Sequence, residues 1–170
     1  KRVFWLVMLV FGNLFSSAGI SHFEDIISAN LVLVLFLPLL VGSGGNAGSQ
    51  SSTLMVRALA TGEVVMKDWF VLLGREILVA LALGLTMAAA VSLLGYLRGD
   101  TMVALVLAVS MVSIVLTGCV LGMSLPFVLN KIGVDPASSS APLITTVCDV
   151  SGVVIYLFVA SRVLGNLGAG

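Results

Sequence analysis

The chain has 170 residues, of which 59% are hydrophobic and 9% charged, and its mean hydropathy is +1.21. That composition leaves too little polar surface to cover a water-soluble globule, so the expected solvent is a bilayer. Eight basic and eight acidic residues give zero net charge, which offers no electrostatic footprint for nucleic acid.

A membrane crossing takes about 20 mostly apolar residues, and five predicted helices fill the chain, over 3–21, 27–58, 71–97, 101–129 and 136–164. The fold class is an all-α membrane protein with no room for a soluble domain. Because the chain opens on Lys1 rather than Met, a preceding region is expected. The first apolar run follows Lys1-Arg2 but has no small-residue cleavage site, so it is read as a permanent span rather than a signal peptide.

The second helix poses the main question. From Ile26 to Ala60 the chain begins as hydrocarbon and becomes rich in Gly, Ser, Asn and Gln, with no charge before Arg57. One long helix is predicted, its second half interrupted and facing protein. Asn46, Gln50, Thr53 and Arg57 recur at steps of four, three and four, forming a polar stripe with Gly45, Ser49 and Ser52 beside it. Gly44 and Gly48 occupy a neighbouring face. Pro38 removes a backbone hydrogen bond and tends to kink the helix. Glycines spaced by four commonly serve close helix packing, and amides can glue helices together. The combination with Pro38 and a buried acid elsewhere suggests instead an oxygen-lined path suited to a hard cation.

The third helix begins near Arg75-Glu76, which could form a structural ion pair against the Arg57 region. In the fourth, Gly118 and Gly122 read as a packing motif, and Gly122→Ala is expected to be mild. Pro126 falls near its end. Cys119 and Cys148 lie inside helices with no metal-ligand spacing and are expected as buried, free thiols. Asp135-Pro136 marks the start of the last helix, the Asp as cap and the Pro at the first helical position.

Asp149 lies close to the middle of that helix. A carboxylate at this depth costs about 2.5–3.5 kcal/mol on insertion scales, so it is a functional candidate facing a cavity or pore. The alternative is a carboxyl held as helix glue by Thr145, Thr146 or Ser151. Thr145, Gly152 and Tyr156 share its face, and Gly152 is expected to leave room beside it. No serine, histidine and aspartate set or phosphate-cradling loop supports an enzyme reading.

Basic residues set the orientation. A cytoplasmic N-terminus places Lys1, Arg2, Arg57, Lys67, Arg75 and Lys131 inside and only Arg98 and Arg162 outside. The turn with His22, Glu24 and Asp25 is then external and reads as a solvated loop, the alternative being an acidic vestibule that concentrates cations. The expected location is the cell membrane, multi-pass, with the C-terminus outside.

Residues 44–51, Gly-Gly-Asn-Ala-Gly-Ser-Gln-Ser, and 53–63, Thr-Leu-Met-Val-Arg-Ala-Leu-Ala-Thr-Gly-Glu, with Gly74-Arg-Glu76, Asp135-Pro136 and the Thr145 to Gly152 segment, resemble the membrane domain of the MgtE family of magnesium channels. The resemblance covers essentially the whole chain. It implies five helices per subunit, a homodimer in membrane lipid, and a cation path between subunits built from the second and fifth helices. It also implies that Asp149 is the pore carboxylate and that cytosolic regulatory domains of the same chain are missing here. On this reading the ion is Mg²⁺, transported and bound, with Asp149, Gly44, Gly45, Asn46 and Gly48 as its ligands, largely through water. Pro38, Gln50, Thr53, Thr145, Thr146 and Gly152 would line the pore. The rival readings are a Na⁺- or H⁺-coupled exchanger and a structural dimerisation domain.

Overall fold

The computed structural model describes residues 2–165; Lys1, counted above among the basic residues, lies outside the described residues. Among those described, every regular element is helical: α1 (Arg2–His22), α2 (Glu24–Ala29), α3 (Val32–Thr61), a 3-10 turn (Met66–Asp68), α4 (Trp69–Arg98), α5 (Thr101–Lys131) and α6 (Pro136–Gly165). Among the described residues four stretches are long and apolar enough to cross a membrane: Val32–Thr61, Met66–Arg98, Thr101–Lys131 and Ser140–Gly165. Within α1 there is a shorter apolar stretch, Leu6–His22.

The helix predicted over 27–58 is divided. Residues Glu24–Ala29 form their own short helix, which Asn30 ends: its amide N–H is shared between the carbonyls of Ile26 and Ile27, and its carboxamide donates to Ile26 at 3.4 Å. A side chain that competes for backbone carbonyls in this way favours a helix end over a helix interior. α3 then starts at Val32 and runs unbroken to Thr61, so the expected interruption in its second half does not occur. Glycine is a poor helix former, and here the deficit is offset because Gly44 and Gly48 are buried against a neighbouring helix.

That neighbour is α5, the central element, which packs against α3, α4 and α6, while α1 rests on α6. The helices approach through glycine. A Cβ placed on Gly118 would lie 2.5 Å from the Gly44 carbonyl oxygen, one on Gly48 would lie 2.8 Å from the Gly118 oxygen, and one on Gly122 would overlap the Gly48 carbonyl. Because 44 matches 118 and 48 matches 122, α3 and α5 run parallel. Similar pairings make α4 antiparallel to α5 (Gly84 on Val112, Gly95 on Ala104) and α6 antiparallel to α3 (Gly152 on Val41). α1 is parallel to α6 through Gly12 on Thr146 and Gly19 on Val153.

Chain direction therefore gathers Arg57, Lys67, Arg75 and Lys131 toward one end and Arg98 and Arg162 toward the other. The turns are locally encoded. Gly62 and Gly133 take φ of 72° and 76°, a left-handed conformation natural to glycine. Asp100 accepts from the Val103 amide at 2.9 Å to cap α5, and Asp135 accepts from Ala137 at 3.1 Å at the start of α6. Large apolar side chains such as Phe70, Leu78 and Leu97 stand outward at 77%, 71% and 70% exposure, as suits lipid-facing surface.

The close contact reverses the expectation for Gly122. Its added methyl would meet backbone, which cannot rotate away, so Gly122→Ala should destabilise the protein by about 1–3 kcal/mol, the usual range for overpacking. Gly42→Ala is the control, because no atom lies within 4 Å of its added Cβ. Thermal unfolding of the purified protein should show a lowered midpoint for the first variant and an unchanged or raised midpoint for the second.

Candidate functional site

The contact with α5 also determines what the other faces of α3 present. At 100° per residue, Asn46 is two steps from both Gly44 and Gly48 and therefore lies on the opposite side of the helix. Asn46, Ser49, Gln50, Thr53 and Leu54 line an open concavity of about 600 Å³ on that side, with Asn46, Gln50 and Thr53 exposed. Neither amide side chain has a hydrogen bond to another described residue. The Thr53 hydroxyl donates to the Ser49 carbonyl at 2.8 Å and keeps acceptor capacity.

Gly45, at the edge of this stripe, faces α6. The Oδ1 of Asp149 lies 3.6 Å from where a Gly45 Cβ would stand, and glycine leaves the carboxylate room. Asp149 is half-buried in this seam and has no hydrogen bond or ion pair among the described residues. Asn46 is the fifteenth residue of α3 and Asp149 the fourteenth of α6, both helices being 30 residues long. An unpaired carboxylate and a row of amides thus share the middle depth of the bundle, beside a surface left open by the single chain.

The other expected residues are dispersed. Gly44 and Gly48 are buried, their carbonyls turned against Gly118 and Gly122 of α5 rather than toward the concavity. Gly152 is buried against Val41 and serves the α3–α6 crossing instead of clearing space for Asp149. Thr146 donates to the Pro142 carbonyl at 3.1 Å and borders an apolar cleft with Met8, Phe11 and Phe15 of α1. Thr145 is exposed and bonds its own helix at Ala141. Pro38 is exposed on α3 about two turns from Asn46. Cys119 and Cys148 are buried and free. Among the described residues no three His, Cys, Asp or Glu side chains cluster, so one chain would offer a cation a single carboxylate with amide, hydroxyl and water oxygens.

Two polar contacts had no local sequence signal. Ser51, buried on the α5-facing side of α3 beside Cys119, donates a hydrogen bond to the Glu76 carboxylate of α4. The proposed partner region around Arg57 lies six residues further along α3, about 9 Å away along the axis. The buried Tyr156 hydroxyl donates to the Leu33 carbonyl at 2.9 Å, pinning α6 to α3 just before Pro38; a phenol in mid-helix usually needs such a partner.

The Ser51 contact is testable. Ser51→Ala removes the hydroxyl donor from a half-buried carboxylate, leaving only the weaker Cys119 thiol beside it, and should lower stability by about 1–3 kcal/mol, whereas Ser51→Thr keeps the hydroxyl and should lose less. Thermal midpoints of the two purified variants report the difference.

The MgtE family, described as a divalent cation transporter, matches residues 37–159. Three proteins named magnesium transporter MgtE are similar along nearly the whole chain. That of Thermus thermophilus is 41% identical over 163 residues, 96% of this chain and 36% of its own length. Those of Bacillus subtilis and Enterococcus faecalis are 32% and 31% identical, over 98% and 95% of this chain and 37% and 36% of theirs. The chain thus spans little more than a third of the length of these relatives.

Proposed function

The chain belongs to the MgtE family, and from that premise we propose that it forms the pore of a homodimeric Mg²⁺ channel, with Asp149 as the ion-binding carboxylate. The observation that carries this reading is the open polar face of α3 at mid-depth, next to an unpaired Asp149. Amides and a carboxylate facing lipid are costly, and a second copy related by two-fold symmetry would cover them with the same face. All five long helices, α1 included, cross the bilayer. The path runs between subunits along α3 and α6, and regulatory domains of the full-length protein act on it from outside this segment.

Closed symmetry brings two Asp149 side chains to one axis, matching the charge of one divalent ion. Mg²⁺ dehydrates reluctantly and usually keeps several waters, so Asp149 holds it largely through its hydration shell. Asn46, Gln50 and Thr53 supply oxygens to the same water layer. Gly45 allows the carboxylate and the hydrate to approach the α3 backbone. A potential of 100 mV is worth about 4.6 kcal/mol for an inward-moving divalent ion, twice the value for one charge, so no coupled ion is needed for uptake.

Asp149→Asn preserves shape and removes both charges at the axis. A charge pair at ~4 Å is worth about 4 kcal/mol at an effective dielectric near 20, so Mg²⁺ flux into liposomes should fall by orders of magnitude. The thermal midpoint should hold or rise, because a buried charge is removed. Wild-type flux in the Asn variant would sink the assignment, and loss of the dimer would make Asp149 a structural residue.

The basic end is cytoplasmic on this reading. Arg98→Cys should react with an impermeant thiol reagent from outside intact cells and Ile132→Cys only after permeabilisation; labelling of both from one side contradicts the orientation.

A further inference from the structure

The basic end carries a second feature, none of whose residues belongs to the ion path. The 3-10 turn and the first residues of α4 lean on the end of α5 and leave a cleft of about 280 Å³, lined by Lys67, Trp69, Phe70, Phe127, Val128 and Lys131. Its two polar groups are lysines, one from each wall. Both are exposed and have no ion pair among the described residues. The acid beside Lys67 in sequence, Asp68, is engaged within its own turn, accepting from the Val65 amide at 3.0 Å.

The rest of the cleft is apolar and aromatic. Trp69 is held in place by an indole N–H bond to the Ser124 hydroxyl of α5 at 3.3 Å and by an edge-to-face contact with Phe70, ring centroids 4.8 Å apart. Phe70 is 77% exposed and Val128 54%. Membrane-spanning helices end here, at the depth where aromatic side chains sit among headgroups. A cationic rim above an apolar wall at that depth complements a molecule with an anionic head and a hydrocarbon tail.

We propose that this cleft is a binding site for an anionic phospholipid, its phosphate between Lys67 and Lys131 and its acyl chain along Phe70 and Val128. Each lysine acts as a point charge on a flexible stem that can follow a headgroup, and basic pockets between membrane helices recognise headgroups in this way. The aromatic wall supplies what a free anion would not use. Occupancy ties the start of α4 to the end of α5, an arrangement the Trp69–Ser124 bond already favours.

The test is native mass spectrometry of the purified chain with phosphatidylglycerol or phosphatidylcholine of identical acyl chains. The wild type should retain phosphatidylglycerol preferentially. Lys67→Gln with Lys131→Gln should weaken that retention about tenfold or more, and the corresponding Arg pair should restore it, which separates loss of charge from loss of structure. Arg98→Gln with Arg162→Gln removes two charges from the opposite end and should leave retention unchanged. Equal retention by the lysine double variant, equal loss in the arginine double variant, or displacement of the lipid by millimolar inorganic phosphate would each overturn the proposal.

Discussion

The structure turns on one contact, the backbone-to-backbone approach of α3 and α5 at Gly44, Gly48, Gly118 and Gly122. Hydrocarbon surrounds both helices, so there is no hydrophobic effect to press them together, and close dispersion contact between bare backbones takes its place. The contact also sets the rotation of α3 about its axis. With Gly44 and Gly48 turned to α5, Asn46, Gln50 and Thr53 point away, Gly45 turns to α6 and Ser51 turns to Glu76. Rotating α3 by one residue would bury the amides without partners and detach Ser51 from its carboxylate, so the polar contacts and the glycine contact reinforce one register.

Charge distribution follows the same logic. Asp149 and Glu76 both approach α3 at depth, on different faces. Glu76 receives a hydroxyl donor from Ser51 and lies within the bundle. Asp149 receives no donor among the described residues and stands beside the open face. A satisfied carboxylate rigidifies, while an unsatisfied one keeps its lone pairs for something that arrives. That difference, with no difference in intrinsic chemistry, is the basis on which we propose structural work for Glu76 and ion binding for Asp149.

Much of this was legible in the sequence. Hydropathy and chain breaks locate the long helices, the four-three-four spacing places Asn46, Gln50 and Thr53 on one face, and the depth of Asp149 marks it as unusual. The matching of faces to neighbours is not legible there. Periodicity gives relative angle on one helix, but α4, α5 and α6 are apolar nearly all round and carry no pattern to say which side meets which partner. Nothing in their spacing shows that Thr146 borders α1 or that Gly152 lies against Val41. Nor does spacing direct Glu76 to Ser51 rather than to the Arg57 region. The matched four-residue spacing of Gly44/Gly48 and Gly118/Gly122 was the available clue to the α3–α5 seam. Taken separately, the first pair is compatible with ion ligands and the second with a tolerant packing site. Asn30 carries little signal because a single polar residue among apolar neighbours barely changes hydropathy, although its side chain ends a helix.

On the proposed reading, a second copy completes the polar face of α3 and Asp149 around an ion. The most direct measurement is anomalous diffraction from crystals of the protein grown with Mn²⁺ replacing Mg²⁺. A single peak is expected on a two-fold axis at the depth of Asn46, equidistant from two Asp149 carboxylates and separated from them by water. A dimer joined through any other face, or a peak away from Asp149, would contradict it.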